Sequence, residues 1–254
     1  MNPQPSWDEL QPYYNEGYDP YDSSHGSDAG DAEEIRLAKQ TGRFRHIPLP
    51  TGQRLLDVGC GAGFFLRIAK KLGAIEQGVE PSQYAASVAQ KQGLNVFCGT
   101  LEDFASQTDA KFDAITSNHV IEHVPNPVET LTTMKGLLAP GGFIWIAVPN
   151  AAYPPSKSLN GLWHSADLPY HLMQFNPRSI AKAGSEAGLK VRHQATESIP
   201  RIVEASLGQY FRYRWMLPRT LTQETGALSP IAKWYARRMD QKCNGEAIIT
   251  EFVV

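Results

Sequence analysis

Leu55-Leu-Asp-Val-Gly-Cys-Gly-Ala-Gly-Phe-Phe-Leu66 decides the fold of this 254-residue chain. An apolar run of strand length enters a turn with glycines at 59, 61 and 63, and helical periodicity begins directly afterwards. Glycine lets the backbone turn sharply and approach a ligand closely, and a new helix presents unpaired N–H groups at its start. Such a turn suits a nucleotide-like cofactor. A dinucleotide fingerprint would demand glycine at position 64, where Phe64 stands, so a pyrophosphate is the poorer fit. Asp57, just before the first glycine, complements a ligand with positive charge, directly or through water. Glu80 closes the second apolar run, the place from which an acidic side chain accepts hydrogen bonds from ribose hydroxyls. A tight strand-to-helix connection with no ligand is the bland alternative.

Outward from this turn, short apolar runs alternate with helical periodicity, the signature of βαβ units in an α/β fold with a mostly parallel sheet. The pattern predicts strands at Arg54–Val58, Glu76–Glu80, Asn95–Cys98, Phe112–Ser117, Phe143–Val148, Lys190–Ala195 and Ala247–Val253. Helices are predicted at Gly63–Leu72, Gln83–Gln92, Val128–Leu138 and Pro177–Ala187, with a short turn near Glu102–Ala105. Pro177 suits a first helical turn, and Gly188 is a helix-ending signal.

The flanks differ. Residues 1–34 hold no Lys or Arg and are rich in Asp, Glu, Gly and aromatics, which marks an acidic aromatic arm without a core of its own and a candidate lid. Ala32–Ile47 reads as a helix leading into a domain that spans 35–254. Between residues 196 and 245 a helical insertion precedes the last strand. Its stretches Tyr210-Phe-Arg-Tyr-Arg-Trp-Met-Leu217 and Ile231-Ala-Lys-Trp-Tyr-Ala-Arg-Arg-Met239 mix basic and aromatic residues, which would suit peripheral contact with a membrane. The simpler reading is a solvated helix pair whose aromatics pack on the domain. A formal net charge of −2 argues against holding nucleic acid by bulk electrostatics. Three distant cysteines, Cys60, Cys98 and Cys243, form no CxxC pair, so neither a disulfide framework nor a zinc cluster is indicated. With no signal peptide and no apolar run of membrane-spanning length, the expected location is the cytoplasm.

Leu55 to Leu66 resembles the first motif of class I S-adenosylmethionine-dependent methyltransferases. Gly78-Val-Glu-Pro-Ser82 resembles the end of their second strand, and Phe112-Asp-Ala-Ile-Thr-Ser-Asn-His-Val-Ile-Glu-His-Val124 their fourth strand and its exit. Leu137-Leu-Ala-Pro-Gly-Gly-Phe143 is similar to the turn before their fifth strand. Pro169-Tyr-His-Leu-Met-Gln-Phe175 and Ser185-Glu-Ala-Gly-Leu-Lys-Val191 resemble the branch holding ubiquinone-biosynthesis O-methyltransferases and many small-molecule and sugar methyltransferases. The resemblance implies a Rossmann-like seven-stranded sheet with helices on both faces and its last strand antiparallel. It implies S-adenosylmethionine as cofactor, lined by Asp57, Gly59, Cys60, Gly61, Glu80, Pro81, Leu101, Asn118 and His119. Thr100 departs from the family, which often has Asp there for the adenine amine; Glu102 or a backbone group would substitute.

His119-Val-Ile-Glu-His123 also matches a zinc-peptidase pattern, which needs both histidines on one helix face. Here the pattern leaves a predicted strand, and Val124-Pro-Asn-Pro127 ends any helix, so the peptidase reading fails on context. Some ubiquinone-pathway relatives hold a divalent metal in this stretch. Glu122 and His123 match that cluster, but His119 stands where the first acidic ligand would be, and no metal ligand is assigned. The expected reaction is in-line methyl transfer to a small-molecule or glycan-like acceptor, with oxygen the expected target and His171 and Glu122 the candidate bases. Trp163 and His164 fall in the same substrate-facing loop. The rival readings are a noncatalytic cofactor-binding scaffold subunit and a nicotinamide-dependent oxidoreductase.

Overall fold

The computed structural model describes Glu9, Ile35, Arg36, residues 52–159, Trp163, Ser165 and residues 170–216 and 229–254. The expected arm at 1–34, apart from Glu9, lies outside these residues, as do His164 and most of the expected helix at 32–47, of which Ile35 and Arg36 are helical.

Seven strands form one sheet in the order β3-β2-β1-β4-β5-β7-β6. They are β1 (Arg54–Val58), β2 (Ile75–Glu80), β3 (Val96–Cys98), β4 (Phe112–Asn118), β5 (Leu138–Pro149), β6 (Lys190–Glu197) and β7 (Ala247–Val253). The first five run parallel, and β7 is antiparallel to both β5 and β6. Chain order reverses between β1 and β4, and in open α/β sheets ligands bind in the crevice such a reversal leaves at the C-terminal strand ends.

Side chains alternate across the sheet, as a pleated strand requires. Leu56, Val58, Ile115, Ile144, Ile146 and Ile248 face one side and pack with α3 (Leu101–Ser106), α4 (Pro127–Gly136) and α6 (Pro177–Glu186). Leu55, Ala114, Phe143, Trp145 and Ile249 face the other, under α1 (Phe64–Lys71) and α2 (Gln83–Lys91). Both faces are covered, which explains why the parallel strands read as nearly unbroken apolar runs.

Local chemistry sets the helix boundaries. The Ser82 hydroxyl accepts from Ala85 N–H to start α2, and Asn126 caps α4 with Pro127 in its first turn. Asn176 and Ser179 form a reciprocal capping box on α6, where Pro177 occupies the first turn as expected. Gly188 follows that helix at φ +74°, a left-handed conformation glycine adopts without strain. The fifth strand is longer than expected, starting at Leu138, because the Pro140-Gly-Gly142 sequence forms a bulge against β4 between Phe112 and Ala114.

The insertion contributes α7 (Pro200–Trp215) and α8 (Ser229–Gln241), which pack on each other; α7 also packs on α5 (Pro154–Leu159) and α8 on β6. A third apolar cluster fills their junction, built from Tyr153, Trp163, Val203, Ala232, Ala236 and Met239 with Tyr210 and Tyr235 against it. The expectation that the insertion's aromatics pack on the domain therefore holds for Tyr210 and Tyr235, while Tyr213, Trp215 and Trp234 remain exposed. Among the described residues no helix is long and apolar enough to cross a membrane.

Candidate functional site

The glycine turn emerges from β1 at the reversal point. Gly59, Gly61 and Gly63 all have positive φ, at +70°, +55° and +86°. A Cβ on Gly59 would lie 2.3 Å from Val120 Cγ2, so the chain leaving β4 presses directly on the turn. Gly63 caps α1 without any side-chain hydrogen bond, so side chains leave that helix's first amides to other acceptors.

Glu80 ends β2 beside this turn. Its Oε2 accepts from Gly61 N–H at 2.8 Å and its Oε1 from Ser82 N–H at 2.9 Å, which fixes the carboxylate plane against the glycine turn. These two bonds orient the carboxylate, an acceptor group of the kind a vicinal diol needs. Asp57 is fully buried, and its Oδ1 accepts from the Thr116 hydroxyl at 2.6 Å, which couples β1 to β4 beneath the turn. Cys60 and Leu101 direct their side chains into the core, so what they offer a ligand is backbone. Pro81, Asn118 and His119 are partly exposed at the same edge. Thr100 spends its hydroxyl on the capping box of α3 with Asp103, the local role that explains a threonine at this position.

Beyond β4 the chain turns abruptly. His119 adopts φ +55°, uncommon for a residue with a side chain, and its N–H donates to the Ala147 carbonyl at 2.9 Å. A single 3-10 turn, Ile121–His123, follows in place of the helix a zinc peptidase would need. This turn gathers an imidazole cluster around Glu122. His119 Nδ1 donates to Glu122 Oε1 at 3.2 Å, and His171 Nε2 lies 3.9 Å from the same oxygen, beyond hydrogen-bond reach. The His123 and His171 rings meet edge to face at 4.6 Å.

Two carbonyls settle the tautomers. His123 Nδ1 lies 3.0 Å from the Tyr170 carbonyl and His171 Nδ1 lies 3.0 Å from the Ser165 carbonyl. A carbonyl only accepts, so in each neutral ring Nδ1 carries the proton and Nε2 keeps its lone pair. Glu122 is buried, which by itself raises its carboxyl, but the His119 hydrogen bond and the charges of His119, His123 and His171 outweigh burial and hold it below the ordinary carboxylate range. Neutral, the His123 and His171 rings offer nitrogen lone pairs; protonated, they hold Glu122 ionised, so the cluster can exchange a proton, anchor a hydroxyl or hold a cation. Glu122, His123 and His171 each place one donor atom within 4.8 Å of the others, a mixed nitrogen and oxygen set that divalent transition metals accept.

A carboxylate that sequence reasoning missed completes this edge. Because β7 runs antiparallel, its first residue, Ala247, pairs with Pro149 at the end of β5, and Glu246 stands beside Asn150. Asn150 N–H donates to the Glu246 carbonyl at 2.8 Å. Glu246 is fully buried, and its Oε1 accepts from the Ser165 hydroxyl. Ser165 thus links Glu246 to His171, its hydroxyl bonding the first and its carbonyl the second. The sequence signal was a lone acid at the head of the apolar run Ala247–Ile249, which reads as an ordinary polar strand start.

Comparison with known proteins matches the chain to the model of the methyltransferase domain family over residues 32–194, more than half its length. The ubiquinone biosynthesis O-methyltransferase of Aeromonas salmonicida (strain A449) is 36% identical over 155 residues, covering 56% of this chain and 64% of that protein. The enzyme of the same name from Actinobacillus pleuropneumoniae serotype 5b (strain L20) is 35% identical over 109 residues, covering 39% of this chain and 47% of that protein. The chain thus spans between about half and two thirds of the length of these relatives. Among solved structures, a SAM-dependent methyltransferase from Archaeoglobus fulgidus superposes with a TM-score of 0.58 at 16% identity, covering 94% of this chain and 99% of that one. A magnesium protoporphyrin IX methyltransferase from Synechocystis PCC 6803 with bound SAH gives 0.58 at 16% identity, covering 98% and 99%. At such identities these two show a shared fold.

Proposed function

Since the chain belongs to the methyltransferase domain family, we propose that it transfers a methyl group from S-adenosylmethionine to a hydroxyl of a small-molecule or glycan-like acceptor. The observation that carries the reading is the Glu80 carboxylate, held by the Gly61 and Ser82 amides at the end of β2, where a nucleoside ribose would sit against the glycine turn. The names of the sequence relatives, O-methyltransferases, support oxygen as the target.

S-adenosylmethionine supplies a sulfonium methyl, and in-line attack breaks its S–CH3 bond as an O–CH3 bond forms. Positive charge disappears in that step, so alignment and exclusion of water supply much of the rate. The acceptor hydroxyl must also lose its proton. His171 Nε2 takes it, because Ser165 fixes the required tautomer and the ionised Glu122 stabilises the imidazolium that results. If a divalent cation is held at this edge, Glu122, His123 and His171 would hold it, and it would acidify the hydroxyl instead. Dialysis against a chelator separates the two routes, since a base acting alone keeps full turnover.

Calorimetric titration with adenosylhomocysteine tests the cofactor reading. The protein should bind it, and Glu80→Ala should weaken binding about ten- to a hundredfold, the effect of losing hydrogen bonds to a charged group. A silent titration of the folded protein would overturn the reading. His171→Ala should lower kcat about 100- to 10,000-fold with cofactor affinity unchanged. Full turnover in that variant would remove His171 from the reaction.

A further inference from the structure

A neutral imidazole can carry its proton on either nitrogen, so a histidine offers a lone pair at a chosen nitrogen only when the other one is held. At His171 the holder is the Ser165 carbonyl, 3.0 Å from Nδ1. That carbonyl lies between α5 and α6 and belongs to neither, so it orients the ring only as firmly as its own segment is fastened. Two side chains fasten the segment. Trp163 is part of the third apolar cluster, and the Ser165 hydroxyl donates to Glu246 Oε1. Apolar packing has no preferred direction whereas a hydrogen bond has one, so the second contact decides how the Ser165 carbonyl points.

Glu246 is a firm anchor for it. The Glu246 N–H donates to Ser198 Oγ at 3.2 Å, its carbonyl accepts from Asn150 N–H at 2.8 Å, and the Asn150 side-chain amide donates to the preceding Gly245 carbonyl at 2.7 Å. The Ser198 hydroxyl in turn donates to Asp240 Oδ1 at 2.7 Å, near the C-terminal end of α8. A chain of hydrogen bonds therefore runs from the helical insertion through Ser198, Glu246 and Ser165 to His171. Glu246 is fully buried, so its route to the reaction is through these neighbours rather than by touching an acceptor.

We propose that Glu246 is a positioning residue: through the Ser165 hydroxyl it fixes the carbonyl that keeps the His171 proton on Nδ1 and the lone pair on Nε2. The role needs only an acceptor oxygen. A carboxylate, a neutral carboxyl and an amide all supply one, so the positioning does not depend on the charge Glu246 carries. This inference rests on the methyl-transfer reading and adds to it how the base is held.

The test reads the tautomer directly, in two-dimensional proton–nitrogen spectra of the imidazoles at about pH 8, where a histidine of ordinary pKa is neutral. The full chain is dialysed against a chelator, so that no cation holds the ring, and the His171 signals are assigned by their loss in His171→Ala. The wild-type ring should be the Nδ1–H form. Glu246→Leu and Ser165→Ala should each raise the ratio of the Nε2–H form to the Nδ1–H form about three- to tenfold, the effect of losing one hydrogen bond. Glu246→Gln, which still offers Ser165 an oxygen, should match wild type, and calorimetric affinity for adenosylhomocysteine should stay within about twofold in all three variants, since none of them touches the glycine turn or Glu80. An unchanged His171 tautomer in both Ser165→Ala and Glu246→Leu would overturn the proposal, as would a Glu246→Gln spectrum like that of Glu246→Leu. If Glu246→Leu does not fold, Ser165→Ala decides alone, because it removes a single partly exposed hydroxyl. The expected tautomer shifts in a chain that binds no adenosylhomocysteine would uphold the positioning of His171 and remove the methyl-transfer reading.

Discussion

Glu122 and Glu246 are both wholly buried on one sheet edge, yet their carboxyls move in opposite directions. Burial raises both. Three imidazoles reverse the effect at Glu122, whereas at Glu246 the Ser165 hydrogen bond and the His119 charge do not overcome burial reinforced by Glu122 and Asp240. The consequences for stability have opposite sign. Glu122 binds its proton less tightly folded than unfolded, so its contribution is present above the ordinary glutamate value of about 4.3 and is lost as pH falls through the folded value. Glu246 binds its proton more tightly folded, so its contribution is present at low pH and declines as pH rises from about 4.3 toward the folded value. Urea unfolding across pH should therefore show Glu122→Gln weakest, relative to wild type, near neutrality, with the gap closing in acid. Glu246→Gln, which keeps an oxygen for Ser165, should be more stable than wild type at pH 8 and lose that advantage by pH 4. Parallel curves for the two variants would contradict the assignment.

Elements place these residues, and one tight junction is the glycine turn under the β4 exit. Gly59→Ala adds a methyl 2.3 Å from Val120 Cγ2 at a φ of +70°, so it should destabilise the fold by about 1–3 kcal/mol in urea titration. Val120→Ala in the same chain should recover part of that loss by vacating the contact. The glycine turn, Glu80, Pro177 in the first turn of α6, Gly188 after it and the alternation of strands with helices were all legible in sequence, because each depends on residues close together in the chain. Three features were not. The fifth strand starts earlier than expected because Pro140-Gly-Gly142, ordinarily a strand-ending signal, is absorbed as a bulge once β4 lies alongside. The 3-10 turn at Ile121–His123 has no periodicity of its own. Glu246 becomes part of the site only through the β5 to β7 pairing, a contact between residues about a hundred positions apart.

At the scale of the molecule, the insertion presents a second surface. Tyr213, Trp215, Met216, Ile231 and Trp234 are all at least half exposed on α7 and α8 or just beyond, interleaved with Arg212, Arg214, Lys233, Arg237 and Arg238. Aromatic rings with cationic neighbours favour an anionic lipid surface, so the chain should sediment with vesicles rich in phosphatidylglycerol, and less so after Trp215→Ser with Trp234→Ser or in high salt. Equal recovery with neutral phosphatidylcholine vesicles would refute this. The reversal of β7 has a practical corollary. That strand begins at the cleft and spans roughly 23 Å at the usual rise per residue, so exposed Val254 emerges on the far rim of the sheet. A fluorophore or surface tether attached there stands clear of the opening, and immobilised protein keeps its cleft turned toward the solution for biosensor work.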